Sequence, residues 1–252
     1  MPIIPGELWV PSSGSFTVTT HTTSGLTTTQ GSTLVLTVMC RDNTSTVPVV
    51  SDPAGNTWVL AGTYRDPGQS VVQHLFYAVN AAPITSVTHT MYAADGVTAP
   101  TATHSSILRE FKGAGGFTVA ASLGTPSTAA GGPVNGATVT AVQPGSLVVD
   151  AVTAGGANRV LTPGPGWVTD RLVSMAQMYH WFTWHVAEVP GPVTPLWTLT
   201  SGAASSFGHV TAVFAPATDP VPDPEPVPSG PVWARIYDGT VWKPLAHPTI
   251  TT

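Results

Sequence analysis

The sequence predicts an all-β protein: a two-sheet β-sandwich of jelly-roll type built from two related halves, followed by a Pro-rich acidic linker and a C-terminal β-hairpin. Three observations predict it. One succession of apolar runs and turns occurs twice in the same order. Short apolar runs alternate with dense turn signals at roughly 8–12-residue spacing, the signature of a sandwich or barrel. Apolar periodicity of the helical kind is missing, and 25 Gly with 25 Pro leave few places for a long helix.

The repetition is specific. The first half opens with Gly31-Ser32-Thr33-Leu34-Val35-Leu36-Thr37-Val38. It passes through Gly55-Asn56-Thr57-Trp58-Val59-Leu60, His74-Leu75-Phe76-Tyr77-Ala78 and Val87-Thr88-His89-Thr90, and closes at Ile107-Leu108-Arg109-Glu110-Phe111. The second opens with Gly145-Ser146-Leu147-Val148-Val149-Asp150-Ala151-Val152. It passes through Gly164-Pro165-Gly166-Trp167-Val168-Thr169, His180-Trp181-Phe182-Thr183-Trp184 and Leu196-Trp197-Thr198-Leu199-Thr200, and closes at Val210-Thr211-Ala212-Val213-Phe214. The offset is 113 residues from Leu34 to Leu147, 109 from Trp58 to Trp167 and 103 from Phe111 to Phe214. A period of this length is far beyond the roughly 20–50 residues of a solenoid repeat. The expected sandwich therefore spans 25–217, with halves at about 31–112 and 140–216.

Taken in order, Met1–Ser24 reads as an extended arm leading into a strand at Phe16-Thr17-Val18-Thr19-Thr20, because branched residues pack well on a pleated surface. Alternation in the first half points Gln73, Leu75 and Tyr77 to one face and His74, Phe76 and Ala78 to the other. Gly113–Val139, rich in Gly, Ala, Ser and Thr, reads as a link between the halves. The aromatic run Tyr179–Trp184 predicts a central strand with apolar contacts on both faces. The acidic, Pro-rich residues 218–231 predict an extended, stiff spacer. Residues 232–252 predict a docking hairpin turning at Asp238-Gly239, with Trp233 and Trp242 on its flanking strands. A lone hairpin is marginal in water, so this one must rest on another surface.

Composition narrows function. Only 8% of the 252 residues are charged, against roughly 25% in ordinary soluble domains. Such a neutral, hydroxyl-rich surface suits a protein that packs into an assembly or works outside a cell. The net charge of −5 with 8 Lys+Arg supplies no basic footprint for nucleic acid. No apolar run approaches a membrane span, and Met1-Pro2-Ile3-Ile4-Pro5-Gly6-Glu7 does not open like a secretory signal, so synthesis in a cytoplasm is expected. Cys40 ends an apolar run and reads as a small buried hydrophobe.

Catalytic chemistry finds little footing. Among eight His, no His-x-His, His-Glu-x-x-His or Cys-x-x-Cys pattern occurs, and no metal or cofactor is expected. His180 and His185 fall on opposite strand faces, while His74 and His180 occupy matching places and read as buried histidines bonded to neighbouring hydroxyls. Asp52, Asp66, Asp95 and Asp170 fall mostly in turns, and Glu110 and Glu188 are not tied together as a glycosidase pair would be. The tryptophans are the stronger candidates. Trp58 and Trp167 follow a Gly-containing turn in each half and read first as core; with Trp197 they are the candidates for stacking on a sugar. Trp9, Trp233, Ile236, Tyr237 and Trp242 are the candidates for an assembly interface, where aromatic anchors are enriched.

The repeated Gly-Ser-Leu-Val-Val, Gly-x-Trp and aromatic strand, ending in Val210–Pro216, resembles sandwich domains of virion proteins from tailed bacteriophages, those of actinobacterial hosts in particular. Ile236-Tyr237-Asp238-Gly239-Thr240-Val241-Trp242-Lys243-Pro244 resembles a hairpin near the end of minor tail proteins of that kind. The resemblance covers roughly Gly31–Pro244. It implies a non-enzymatic structural protein of the virion, either a minor tail protein or a capsid decoration protein. Its expected partners are other virion proteins and copies of itself, with a host-surface glycan as a further ligand. A carbohydrate-binding adhesion module is the alternative reading, and a glycan-degrading enzyme the third.

Overall fold

The computed structural model describes residues 2–9, 16–41, 47–66, 71–92, 102–126, 130–155, 160–175, 178–201, 206–218, 235–237 and 242–244. Every element among them is a strand. The chain divides into Met1–Ala217 and Thr218–Thr252, each described by itself.

The first half holds β1 (Ile4–Trp9), β2 (Phe16–Val18), β3 (Thr20–Ser24), β4 (Ser32–Arg41), β5 (Val49–Ser51), β6 (Val59–Asp66), β7 (Val71–Ala81), β8 (Ser86–Thr90) and β9 (Ala102–Lys112). The second holds β10 (Ala114–Pro126), β11 (Pro133–Asn135), β12 (Val139–Ala141), β13 (Ser146–Gly155), β14 (Val160–Pro163), β15 (Val168–Met175), β16 (Met178–Ala187), β17 (Gly191–Val193), β18 (Leu196–Ser201) and β19 (Ser206–Pro216). The terminal unit contributes β20 (Arg235–Tyr237) and β21 (Trp242–Pro244).

Two main sheets are antiparallel: β1-β9-β4-β7-β6, with β2 also on β9, and β10-β19-β13-β16-β15. Smaller sheets accompany each half: β3-β8-β5 for the first, and β11-β18-β14 with β12-β17 for the second. The expected sandwich is present, but it has more than two sheets. One face of β4 and β9 (Val35, Met39, Ile107, Phe111) meets the second half's Leu147, Val149, Phe182 and Phe214. The other face (Leu34, Leu36, Val38, Leu108) packs with Val87 of β8 and Val50 of β5. In the second half Val152 and Trp181 likewise pack with Val134 of β11, Leu161 of β14 and Leu199 of β18. The central strands are thus covered on both faces. Their alternation therefore separates two buried cores, and β4 is buried from Ser32 to Cys40.

The central strands of the two main sheets, β4 and β13, begin alike. Gly31 (φ 79°) and Gly145 (φ 80°) both take the left-handed backbone that favours glycine. Gly31 N–H donates to Ala81 O at 2.8 Å, and Gly145 N–H to Ala187 O at 2.7 Å. In the next position Ser32 Oγ donates to Thr29 O and Ser146 Oγ to Gln143 O, at 2.8 and 2.7 Å.

Two expectations are corrected. Met1–Ser24 is not only an arm: β1 and β2 both pair with β9, and β3 pairs with β8. Gly113–Val139 is not a bare link, since it contains β10, which pairs with β19 from Ala114↔Pro216 to Pro126↔Ser206. β10 is rich in Ala and Gly, which carry weak strand preference. Its pairing with β19 and the packing of Phe117 against Tyr77 and Phe214 hold it in place.

Candidate functional site

The tryptophan turns are built from short-range bonds. Asp52 caps its own turn, its Oδ1 accepting from Ala54 N–H at 2.8 Å, while its Oδ2 accepts from Trp58 Nε1 at 2.7 Å. Gly55 (φ 73°) gives the backbone the reversal that brings Trp58 back over Asp52. Trp58 is half-buried and packs on the outer core of the first half. At the matching place Gly166 (φ 78°) precedes Trp167, also half-buried. Trp167 lies over the His185 ring with centroids 5.3 Å apart, and His185 Nδ1 bonds Gly166 O at 2.9 Å. Each half therefore presents a pinned aromatic at a turn, partly open to solvent. A ring held this way loses little entropy when it stacks on a ligand or a partner.

Trp197 does not belong with them. It is 2% exposed, and its Nε1 donates to Asp150 Oδ2 at 3.1 Å. The Asp150 carboxylate also takes Thr211 Oγ1 at 2.9 Å and His209 Nδ1 at 3.0 Å, all of it buried. This arrangement holds β13, β18 and β19 together, and its burial leaves no face of Trp197 for a sugar.

The interface candidates divide as well. Trp9 is half-buried on β1 opposite Leu108 and packs on the first half's outer core, so it anchors its own sandwich. Trp233 lies outside the described residues. In the hairpin Tyr237 stands opposite Trp242, and Ile236 opposite Lys243, so the partner across from Trp242 is Tyr237.

Among the histidines, His180 lies between the two main sheets. Its Nε2 is 2.5 Å from Thr37 Oγ1 and 3.3 Å from Gln73 Nε2, and its Nδ1 is 2.9 Å from Ser105 Oγ. Burial holds it down to about 3, hence neutral. His74, held to about 3 by burial and by Arg65, bonds Thr63 Oγ1 through Nδ1 at 2.9 Å. Arg109 and Asp170 make a second polar link between the main sheets at 3.2 Å. Burial pushes the Asp170 carboxyl up, opposed by Arg109 and Trp184.

The two glutamates are far apart in role. Glu110 is buried and accepts from Thr29 N–H at 2.6 Å and Glu7 N–H at 3.3 Å, whereas Glu188 is exposed. Cys40 is buried, its Sγ donating to Met91 Sδ at 3.6 Å. No helix among the described residues is long and apolar enough to cross a membrane.

No protein family matches the chain, and no curated protein or solved structure is detectably similar to it.

Proposed function

We propose that this is a non-enzymatic structural protein of a tailed-phage virion, a minor tail or capsid decoration protein, and that its two halves are copies of one jelly-roll unit. The observation that carries the reading is strand order. Set aside the separate β12-β17 pair and count eight strands in each half: β1 with β2 as the first, then β3 to β9; and β10, β11, β13, β14, β15, β16, β18 and β19. Strands one, eight, three and six then lie side by side in both main sheets, and two, seven and four in the two three-stranded sheets. We read this as the jelly-roll order with strand five moved onto strand six. It is the architecture of viral capsid and lectin domains. The matching Gly31 and Gly145 turns support a shared origin.

The terminal unit supplies the docking element in this reading. Its hairpin places Tyr237 across from Trp242, and two strands alone do not sustain a fold. Copies of the protein, or a neighbouring virion protein, then provide its support. In this reading the protein is made in the host cytoplasm, assembles there and is released on lysis.

Light scattering after size-exclusion chromatography tests this on the full chain and on a chain ending at Ala217. The expected result is a defined oligomer that falls to monomer on truncation. The same number of chains per particle in both would overturn assembly through the terminal unit.

The second reading, a host-glycan adhesion module, is favoured by one observation: Trp167 is half-buried and held against His185 at a turn. Glycan-array binding lost in Trp167→Ala but kept in Trp197→Phe would move the protein into that class.

A further inference from the structure

Three histidines from three strands meet between the smaller and main sheets of the first half. His21 of β3 and His89 of β8 stand opposite each other, and His104 rises from β9, where it is opposite Cys40 of β4. The ring centroids are 5.4 Å apart for His21–His89, 6.0 Å for His21–His104 and 4.7 Å for His89–His104. His89 is 1% exposed and His104 fully buried, while His21 is half-buried. Both ring nitrogens of His89 are sealed from solvent without a hydrogen-bond partner. A proton gained there would find no acceptor, and a charge enclosed in an apolar layer is costly unless it is paired.

The facing strands offer little to balance such a charge. Opposite the trio, β5 supplies Val50, β2 supplies Phe16 and β4 the Cys40 thiol, so no carboxylate stands across a ladder from it. Asp52, which follows β5, is engaged by Ala54 N–H and Trp58 Nε1. Glu110 is six residues beyond His104 on β9, about 20 Å along the strand, and holds Thr29 N–H. Arg41 follows Cys40 on β4, and Arg65 of β6 and His74 of β7 lie on the same outer face of the main sheet, so these groups are basic. Burial first, and neighbouring imidazoles second, hold His89 well below its usual range and His104 down to about 4.

Among the described residues β3, β8 and β5 pair only with one another, so this ladder leans on β4 and β9 through side chains. Met91, which follows β8, lies against Cys40 with Sγ and Sδ 3.6 Å apart, and its N–H donates to Thr19 O at 2.8 Å, which ties it to the start of β3. We propose that the three histidines make the smaller sheet an acid-released cover: proton uptake at His89 and His104 loosens β3-β8-β5 from β4 and β9 and exposes Cys40 beneath it. Two imidazolium rings 4.7 Å apart repel strongly where water is excluded. Opening hydrates them and restores the ordinary value of 6.5. Well above that value both forms are neutral and the cover stays shut. As pH falls from 6.5 toward 4 the opened form takes up protons that the closed form refuses, and the balance moves toward opening. The opening is local, leaves the contact between the two main sheets in place, and does not depend on the virion reading.

The test reads Cys40, the one cysteine of the chain, by its reaction with 4,4′-dithiodipyridine in the full chain. Dividing each rate by that of the urea-unfolded chain at the same pH gives the opening constant. The expected result is a rise of about 600-fold from pH 7 to pH 5, about 25-fold for each of His89 and His104. Over that range far-UV circular dichroism should persist, and low urea should leave the rate nearly unchanged, because a local opening exposes little surface. In His89→Phe, which fills the same space without a titratable group, the rise should shrink to about 25-fold. An equal rise in wild type and variant overturns the proposal, and so does labelling that begins only as circular dichroism is lost. Should the variant fail to fold, the urea dependence of the wild type at pH 5 decides. A rate insensitive to low urea supports local opening, and one that climbs as steeply as global unfolding overturns it.

Discussion

Ser105 and His180 join the two main sheets from inside, Oγ to Nδ1 at 2.9 Å, although 75 residues separate them in the chain. Thr37 holds the other ring nitrogen, and Gln73 stands beside it. Three strands of one sheet thus grip one side chain of the other. Apolar faces tolerate sliding, because hydrophobic burial is not directional. A satisfied buried polar group does not, since any shift leaves its partners unpaired.

His180→Ala should therefore cost about 3–5 kcal/mol, combining a cavity with orphaned groups on Thr37, Ser105 and Gln73. His185→Ala, on the half-buried side of the same strand, serves as the control and should cost under about 1 kcal/mol. Urea denaturation of both variants measures this. Equal midpoints would mean that the buried histidine does not join the sheets.

Acid should destabilise the fold before its carboxylates titrate. His74 and His180 are held down to about 3 in the native state, against 6.5 for the free side chain. Both are neutral in folded and unfolded chains at high pH and contribute nothing there. As pH falls below 6.5 the unfolded chain takes up protons that the folded chain refuses, so stability is lost until the folded values are reached. Between pH 7 and pH 5 the loss is about 2 kcal/mol for each histidine. Denaturation midpoints across that window should drop steadily, and a flat profile would contradict neutral burial.

Glu110 fastens the first strand to its neighbours. Its carboxylate accepts from Glu7 and Thr29, and Gly6 lies so close above it that a Cβ there would collide with the carboxylate. Glu110→Ala should cost about 1–3 kcal/mol and open Ile4–Trp9 first. Hydrogen exchange gives the readout: the Glu7 and Thr29 amides should exchange faster than those of β4. Unchanged protection of both would show that the carboxylate is not their anchor.

How much of this was legible follows from how local each signal is. The alternation of Leu75 and Tyr77 against Phe76 and Ala78 sorts these residues into two cores, as their spacing implies. The aromatic strand β16 is an interior strand, flanked by β13 and the edge strand β15. By contrast, β10 is hidden by its small residues, and Trp197 reads as an exposed candidate until Asp150, 47 residues away, proves to be its partner. Pairing across a sheet writes no pattern into the neighbouring sequence.

The small residues of β10 and β19 also have a use that composition conceals. Gly124 and Gly208 are opposite each other, and Tyr64 of the facing main sheet lies against both. A Cβ on Gly124 would come within 2.6 Å of the Tyr64 hydroxyl, and one on Gly208 would run into the ring itself. Gly208→Ala should therefore cost about 1–3 kcal/mol through overpacking. In a Tyr64→Ala background the obstacle is gone. The same substitution should then be neutral or stabilise by about 0.4–1 kcal/mol, because alanine restricts the unfolded chain. A double-mutant cycle by urea denaturation isolates the coupling. A penalty that persists without the Tyr64 ring would place the strain in the backbone of β19 instead of in the contact between the sheets.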